Sequence, residues 1–339
     1  MGFVDKVAAG LSPVYNFFFQ LDRKTRGRTR LRAPVVSVGN IAMGGRAKTP
    51  TVIWLCCELK KQGWEPVVLT RGYKRKSKDL IWILPTHETL NLKTNSRRKL
   101  DEQSVSECGD EAIEISLKAS VPVLVSSNRV KNAKQFLAEG TFHPDRLVFV
   151  LDDGFQHWSL LRDYDLVLIQ ESDRSAALVP HGPLRERAVS LGRADRVLTL
   201  GKDLTKHTIL PASLLEALKK NPKLYLITSR APDQSYQTDI AAQLPKDTLI
   251  QSIRFDDHAS RGVLFQELNL RDKGDIFAVG YKEAVKLCPP LNLLPENLGT
   301  QQSVVSSSGH TLYLIDLELE VAEADQLLGE IVQRLRVKL

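Results

Sequence analysis

The stretch from Val35 to Pro50, VVSVGNIAMGGRAKTP, constrains the fold of this chain more than any other. Val35, Val36 and Val38 make a short β-branched run of the kind buried on both faces of a parallel sheet. A turn follows. Gly44 and Gly45 let the backbone fold back with its N–H groups pointing inward, and Lys48-Thr49 open an apolar, helix-length run from Val52 to Leu59. Strand, glycine turn and helix in that order suit a phosphate cradle. There the lysine reaches the β- and γ-phosphates of a nucleotide and the threonine hydroxyl takes its Mg²⁺. The strict pattern G-x-x-x-x-G-K-[ST] is not met, because Ala42 and Ala47 occupy its two glycine positions. The stretch therefore also reads as a glycine-containing strand-to-helix turn with an ordinary surface lysine.

At 339 residues, with 42% hydrophobic and 26% charged residues, the chain has the composition of a globular protein and enough length for two domains. No apolar run is long enough to span a bilayer and no cleavable leader follows the start, so a cytosolic protein is expected. Cys56, Cys57, Cys108 and Cys288 lack metal-ligand spacing and suit core packing. The net charge of +7 suits an anionic partner, whether nucleotide, nucleic acid or acidic membrane.

Residues 1–32 differ in composition from the rest. Phe3, Val4, Val7, Leu11, Val14, Tyr15, Phe17, Phe18 and Phe19 are followed at once by Arg23, Lys24, Arg26, Arg28, Arg30 and Arg32. An amphipathic segment closed by a basic cluster lies at the headgroup level of an anionic membrane, and this reading is preferred to a helix packed on the body of the protein. The reason is that three consecutive phenylalanines cannot share one side of a helix.

From Val35 onward, short apolar runs alternate with amphipathic ones. Strands are expected at Val35–Val38, Pro66–Thr70, Val121–Ser126, Leu147–Leu151, Asp165–Ile169 and Arg196–Leu200, and helices at Thr49–Gln62, Asp110–Lys118 and Val130–Ala138. This rhythm predicts an α/β, doubly wound, mostly parallel sheet of the P-loop NTPase kind. The basic segment Lys74 to Leu100 breaks it and is expected to leave the sheet, with a strand at Leu80–Leu84. A second, smaller α/β domain is expected through Leu224–Thr228, Ile276–Gly280 and Thr311–Leu317, closing with a helix from Val321 to Leu339. The predicted division is an N-terminal membrane-associated segment 1–32, a P-loop domain 33–222 and a C-terminal domain 223–339.

Asp152-Asp153-Gly154 ends an apolar strand downstream of the turn, where an acid either holds Mg²⁺ or caps the next element. With Lys48-Thr49 upstream, the metal role is preferred. Gln156 and His157 follow at the rim of the same crevice. Asp110 and Glu111 open a helix and suit its dipole whether or not they do chemistry. Arg71 ends the second strand, where an arginine meets phosphate; Arg185-Glu186 follows the rigid Gly182-Pro183 turn. His258, after the strand-like run Leu249–Phe255, has no role assignable from its surroundings alone.

Taken in order, the chain resembles the tetraacyldisaccharide 4′-kinase (lipid A 4′-kinase) family. The likeness is carried by Val38-Gly39-Asn40-Ile41, Gly44-Gly45, Lys48-Thr49-Pro50, Arg71-Gly72-Tyr73, Gly109-Asp110-Glu111 and Asn128-Arg129-Val130. Further on it is carried by Asp152-Asp153-Gly154-Phe155-Gln156-His157, Leu161-Arg162-Asp163, Gly182-Pro183-Leu184-Arg185-Glu186 and Asp257-His258. The resemblance implies transfer of phosphate from ATP, with Mg²⁺, to the 4′-hydroxyl of a lipid A disaccharide 1-phosphate. It places the protein peripherally on the anionic cytoplasmic face of the inner membrane of a Gram-negative cell. A monomer with no nucleic acid partner is expected.

By the same resemblance Gly44, Gly45, Arg46, Ala47, Lys48 and Thr49 bind nucleotide, and Thr49 shares the metal with Asp152 or Asp153. Asp110 takes the sugar proton and His258 orients it, which requires the second domain to close over the first. Asn40, Arg71, Glu111, Arg129, Gln156, His157, Arg185 and Glu186 contact substrate or phosphate. The family's turn reads Gly-Gly-Thr-Gly-Lys-Thr, so Arg46 and Ala47 depart from it. Two rivals are a nucleotide-switched regulator or metallochaperone, and a degenerate member that binds lipid without catalysis.

Overall fold

The computed structural model describes residues 3–140, 142–228, 234–255, 261–294 and 302–338. The chain forms two compact units, each built from separated segments. One comprises Met1–Arg71, Val121–Thr205 and Leu319–Leu339, the other Gly72–Ser120 and Lys206–Glu318.

The first unit is a parallel sheet of β1 (Val35–Asn40), β2 (Glu65–Thr70), β3 (Val123–Val125), β4 (Leu147–Asp152), β5 (Tyr164–Ile169) and β6 (Arg196–Thr199), in the order β3-β2-β4-β1-β5-β6. Every residue of β1, β4 and β5 is buried, as near-continuous apolar runs require in a sheet covered on both faces. β1 lies between β4 and β5, and Val38 stands in register with Asp152. The carboxyl end of β1, where the chain leaves the sheet, is where ligands collect in open α/β sheets.

Helix α2 (Lys48–Lys61) follows β1 and buries Thr51, Val52, Leu55, Cys56 and Leu59, a single face at helical spacing. Its first turn contains Pro50, whose missing N–H costs nothing there. That turn has neither an acidic residue nor a side-chain cap, so its free N–H groups and positive dipole end suit an anion. Helix α3 (Arg129–Glu139) is capped by Asn128, which accepts from the Lys131 N–H at 3.0 Å. The C-terminal helix α4 (Ala324–Arg336) packs Leu327, Leu328, Ile331 and Leu335 inward.

The N-terminal helix α1 (Phe3–Thr25) docks one side on the first unit and leaves an apolar stripe exposed. Ser12 Oγ donates to the Leu178 carbonyl at 3.1 Å, Phe19 meets the edge of Trp158 at 6.0 Å between centroids, and the Arg23 guanidinium lies 5.0 Å over the Trp158 ring. Leu11, Val14, Phe17, Phe18 and Leu21 stay exposed, Phe17 and Phe18 at 64% and 63%. At 3.6 residues per turn these five form one stripe beside the docked face. The three phenylalanines divide accordingly, two outward and one onto Trp158. No described helix is long and apolar enough to cross a membrane.

The second unit holds the antiparallel meander Ile81–Leu84, Glu88–Asn91 and Ser96–Lys99. Its further sheet runs Leu204–Ile209, Thr311–Val321, Ile276–Gly280, Lys223–Thr228, Leu249–Arg254, with Ser303–Val305 antiparallel on Thr311–Val321. Leu214, Leu218, Leu224, Leu226, Ile240, Ile276 and Ala278 form its core.

This division differs from the linear cut at residue 222. Residues 72–120 and 206–222 join the C-terminal segment, because side-chain packing sorts elements by partner and not by chain order. Lys118 pairs with Asp316, and Leu214 and Leu218 complete the core under Leu224 and Leu226. Conversely α4 joins the first unit: Tyr164 donates to Glu330 at 3.1 Å and Arg334 pairs with Asp195 at 3.0 Å.

Candidate active site

The turn after β1 is clamped at its start. Arg185 N–H donates to the Ile41 carbonyl and Met43 N–H to the Pro183 carbonyl, both at 2.7 Å. Gly44 has a φ of 91°, and a Cβ there would meet no atom within 4 Å, so glycine serves the backbone and leaves open space in the cradle. Ala47 caps α2 in the left-handed region, at φ 55° and ψ 24°. Lys48 folds back over the turn, its Nζ 3.5 Å from the Gly44 carbonyl and 3.6 Å from Asp153 Oδ1.

Arg46 turns away to a fork-to-fork pair with Asp173, at 2.8 and 2.7 Å. Its guanidinium is therefore committed to a carboxylate, and the turn presents backbone and Lys48 to a ligand.

The two aspartates at the end of β4 are held differently. Asp152 is buried and accepts from Thr70 Oγ1 at 2.8 Å. Asp153 has a φ of 48° and accepts from Arg185 on both oxygens, at 3.1 and 3.0 Å. Burial pushes the Asp153 carboxyl up, but Lys48, Arg185 and Arg129 together outweigh it and hold the group below its ordinary value. It is an anion at neutral pH. Arg129 is buried and donates to the Asp152 and Asp153 carbonyls at 2.8 and 3.3 Å, fixing the backbone beneath the pair. Burial lowers its pKa to about 10, which leaves it charged.

Gln156 Nε2 donates to the Asn40 carbonyl at 2.7 Å and to Glu186 Oε1 at 2.9 Å. Glu186 is buried and neutralised by Arg193 at 2.9 and 3.2 Å, and Arg193 stacks 4.4 Å over Phe155. These contacts close a frame from Asn40 through Gln156 and Arg185 to Asp153. Close packing reinforces it: a Cβ on Gly39 would come 2.6 Å from Phe155 Cβ, and one on Gly154 would come 2.5 Å from Ser37 Oγ.

Among the described residues, Asn40 Oδ1 and Nδ2 and His157 Nε2 are buried without a hydrogen-bond partner. A buried amide with both ends unpaired is costly, and at the end of β1 it is poised for a ligand. His157 is held neutral, because burial first, then Arg129, Arg162 and Arg26, lower it to about 3. Arg71 follows β2 directly and is exposed at the same sheet edge.

In the second unit, Asp110 and Glu111 open the helix Asp110–Ala119. Asp110 pairs with Lys286 at 3.0 Å and Glu111 with Lys282 at 3.4 Å, the two lysines lying one turn apart on the helix Tyr281–Leu287. Gly109 joins two helices at φ 92°, where a Cβ would approach the Tyr73 carbonyl to 2.9 Å. Asp257 and His258 lie outside the described residues.

Comparison with known proteins decides which family owns this arrangement. A profile of the LpxK family, tetraacyldisaccharide-1-P 4′-kinase, matches residues 7–247. The chain belongs to the tetraacyldisaccharide 4′-kinase family. It is 33% identical over 273 residues to the tetraacyldisaccharide 4′-kinase of Shewanella pealeana, covering 76% of each chain. It is also 33% identical over 267 residues to that of Hamiltonella defensa, covering 75% of this chain and 74% of the relative. The fold matches the crystal structure of LpxK from Aquifex aeolicus in complex with ATP, with a TM-score of 0.69 and 22% identity, over 97% of this chain and 98% of that one.

Four partners of the candidate residues escape motif reading: Asp173 and Arg193 in the first unit, and Lys282 and Lys286 in the second. Arg193 and Asp173 lie outside the recognisable runs, and each is paired across intervening chain that only folding closes. The lysines carried a weak signal, a four-residue spacing after the strand Ile276–Gly280.

Proposed function

We propose that this kinase transfers the γ-phosphoryl group of ATP to the 4′-hydroxyl of a tetraacyldisaccharide 1-phosphate, giving the 4′-phosphorylated lipid A precursor. The observation that carries the reading is Lys48 laid across the glycine turn toward Asp153, at the uncapped N-terminus of α2. Phosphoryl transfer asks a protein mainly to position reactants and offset charge. Lys48 and the backbone of Gly44 to Thr49 serve the β- and γ-phosphates. Asp153, an anion between Lys48 and Arg185, keeps both cations aimed at the crevice. Asn40 offers its unpaired amide.

Thr49, Asp152 and Asp153 supply oxygen donors of the type Mg²⁺ takes, and one or two protein oxygens suffice where phosphates and water complete the shell. Bound there, Mg²⁺ offsets phosphate charge. Asp110 is assigned the proton of the acceptor hydroxyl, and His258 its orientation, both on the family likeness. Arg71 and Glu111 are assigned to substrate. ATP in the Aquifex relative supports the nucleotide. The exposed stripe of α1, followed by the cluster Arg23 to Arg32, supports a peripheral protein on the anionic cytoplasmic face of the inner membrane. The protein acts as a monomer.

The test is 4′-phosphorylation of the disaccharide 1-phosphate by the purified chain, with Lys48→Ala and Asp110→Ala alongside. Both variants are expected to fold and to lose most turnover. Near-normal turnover in either sinks its assignment, and ATP hydrolysis without lipid phosphorylation favours the regulator.

A further inference from the structure

The phosphate turn has two ends, and they are anchored by different means. At its start, backbone hydrogen bonds tie Ile41 and Met43 to Arg185 and Pro183. At its end sits Ala47, a non-glycine residue at φ 55°, next to the amide of Lys48 that opens α2. Gly44 and Gly45 lie between and impose little on the backbone. Two side chains reach distant chain from the far end: Lys48, whose Nζ lies 3.6 Å from Asp153 Oδ1, and, more tightly, Arg46. Its Nε and Nη2 donate to Asp173 Oδ2 and Oδ1 at 2.8 and 2.7 Å, with Arg46 12% and Asp173 1% exposed. Asp173 is itself fixed, because its Oδ2 also accepts the Gln170 N–H at 2.9 Å and closes the short helix Glu171–Arg174.

We infer that the Arg46–Asp173 pair is a latch that holds the phosphate turn in nucleotide-ready shape in a chain with alanine at the left-handed position 47. Arg46 and Asp173 are positioning residues for ATP, and this rests on the ATP reading above. The physical case is one of compensation. An L-residue at positive φ drifts toward the ordinary regions unless its neighbours hold it. Such a drift rotates the amides of Ala47 and Lys48 away from the phosphate. A planar, bidentate, nearly buried ion pair one residue upstream opposes that rotation, because it has a single good geometry. Glycine at position 47 would adopt the same φ unaided and make the latch dispensable. Arg46 is thus used as an anchor, and the phosphate is left to Lys48 and the backbone.

The experiment measures binding of a fluorescent ATP analogue to the full chain, with kcat and KM for ATP beside it, in Arg46→Ala, Asp173→Asn, Arg46→Lys and the double variant Arg46→Ala/Ala47→Gly. Arg46→Ala and Asp173→Asn are expected to raise Kd and KM by roughly tenfold or more while kcat at saturating ATP stays within about twofold. Arg46→Lys, which keeps the charge and loses the fork, falls between them and the wild type. Adding Ala47→Gly to Arg46→Ala is expected to recover most of the lost affinity. A role in global stability alone would lower the thermal midpoint and kcat together and give no rescue by glycine. Unchanged ATP affinity in Arg46→Ala overturns the latch. So does a persistent defect in the double variant beside normal affinity in Asp173→Asn, the pattern of an arginine that touches phosphate itself. Wild-type protein that binds no ATP overturns the kinase reading, an outcome read before any variant is compared.

Discussion

Arg185 donates to both carboxylate oxygens of Asp153, at 3.0 and 3.1 Å, while its own backbone N–H holds the Ile41 carbonyl at the start of the phosphate turn. One residue therefore joins the turn to the acidic strand end. Arg185→Ala is expected to lower kcat/KM by about 10- to 100-fold, since its Nη1 makes one shared interaction with the carboxylate and a hydrogen bond to a charged group is worth roughly 1.5–3 kcal/mol. Arg185→Lys should recover part of the loss, because both bonds are made by one nitrogen, Nη1, whose charge a lysine Nζ replaces without the guanidinium's fixed plane. Steady-state kinetics decide it, with a thermal melt to show that the fold survives.

Ala47→Gly in the otherwise unchanged chain removes a left-handed alanine, a conformation that costs an L-residue roughly 1–2 kcal/mol. With the Arg46–Asp173 pair intact, the turn is already held. The expected outcome is a KM for ATP lowered severalfold at most, with kcat little changed. A raised KM would show that the turn is tuned to the methyl group.

His157 gives a pH dependence whose sign is fixed. Its folded pKa of about 3 lies below the ordinary 6.5, so the unfolded chain takes up a proton that the folded chain refuses. Its contribution to stability is complete above about pH 6.5 and is lost as pH falls toward 3. His157→Gln should flatten the fall of unfolding free energy across that window, measured by urea titration at several pH values. Equal slopes in both proteins would place the loss in other groups.

The two faces of α1 make separable predictions. A chain starting at Leu31 should bind anionic vesicles poorly and melt at lower temperature, because Trp158 loses Phe19 and Arg23. Phe17→Ser/Phe18→Ser, on the exposed stripe, should weaken vesicle binding with stability within about 0.5 kcal/mol of the wild type. Each arginine near an anionic surface adds on the order of 1 kcal/mol, so binding should fall with salt and keep a salt-resistant part from the phenylalanines. Co-sedimentation at low and high salt tests this. Undiminished sedimentation of the double variant would make the stripe a bystander.

The sequence by itself determined the strands of the parallel sheet, and where the glycine turn and the two charges at the end of β4 fall. β1 and β4 are legible because burial on both faces demands continuous β-branched and apolar runs. The turn is legible because Gly44 takes a φ of 91° that L-residues rarely adopt, and Asp152-Asp153 because the apolar run of β4 ends abruptly on two charges. Local chemistry wrote those signals, and local chemistry reads them. Tertiary structure alone decided which groups answer one another. Arg46 reads as a nucleotide residue by position, yet Asp173, 127 residues on, holds it. Glu186 reads as a surface or substrate group, yet Arg193 and Gln156 bury and neutralise it. Residues 72–120 and α4 each join a unit that a linear cut assigns elsewhere. The reason is common to all three. An ion pair or a packed face is chosen by what folding brings within a few ångströms, and that choice depends on the path of the whole chain, which no local pattern records.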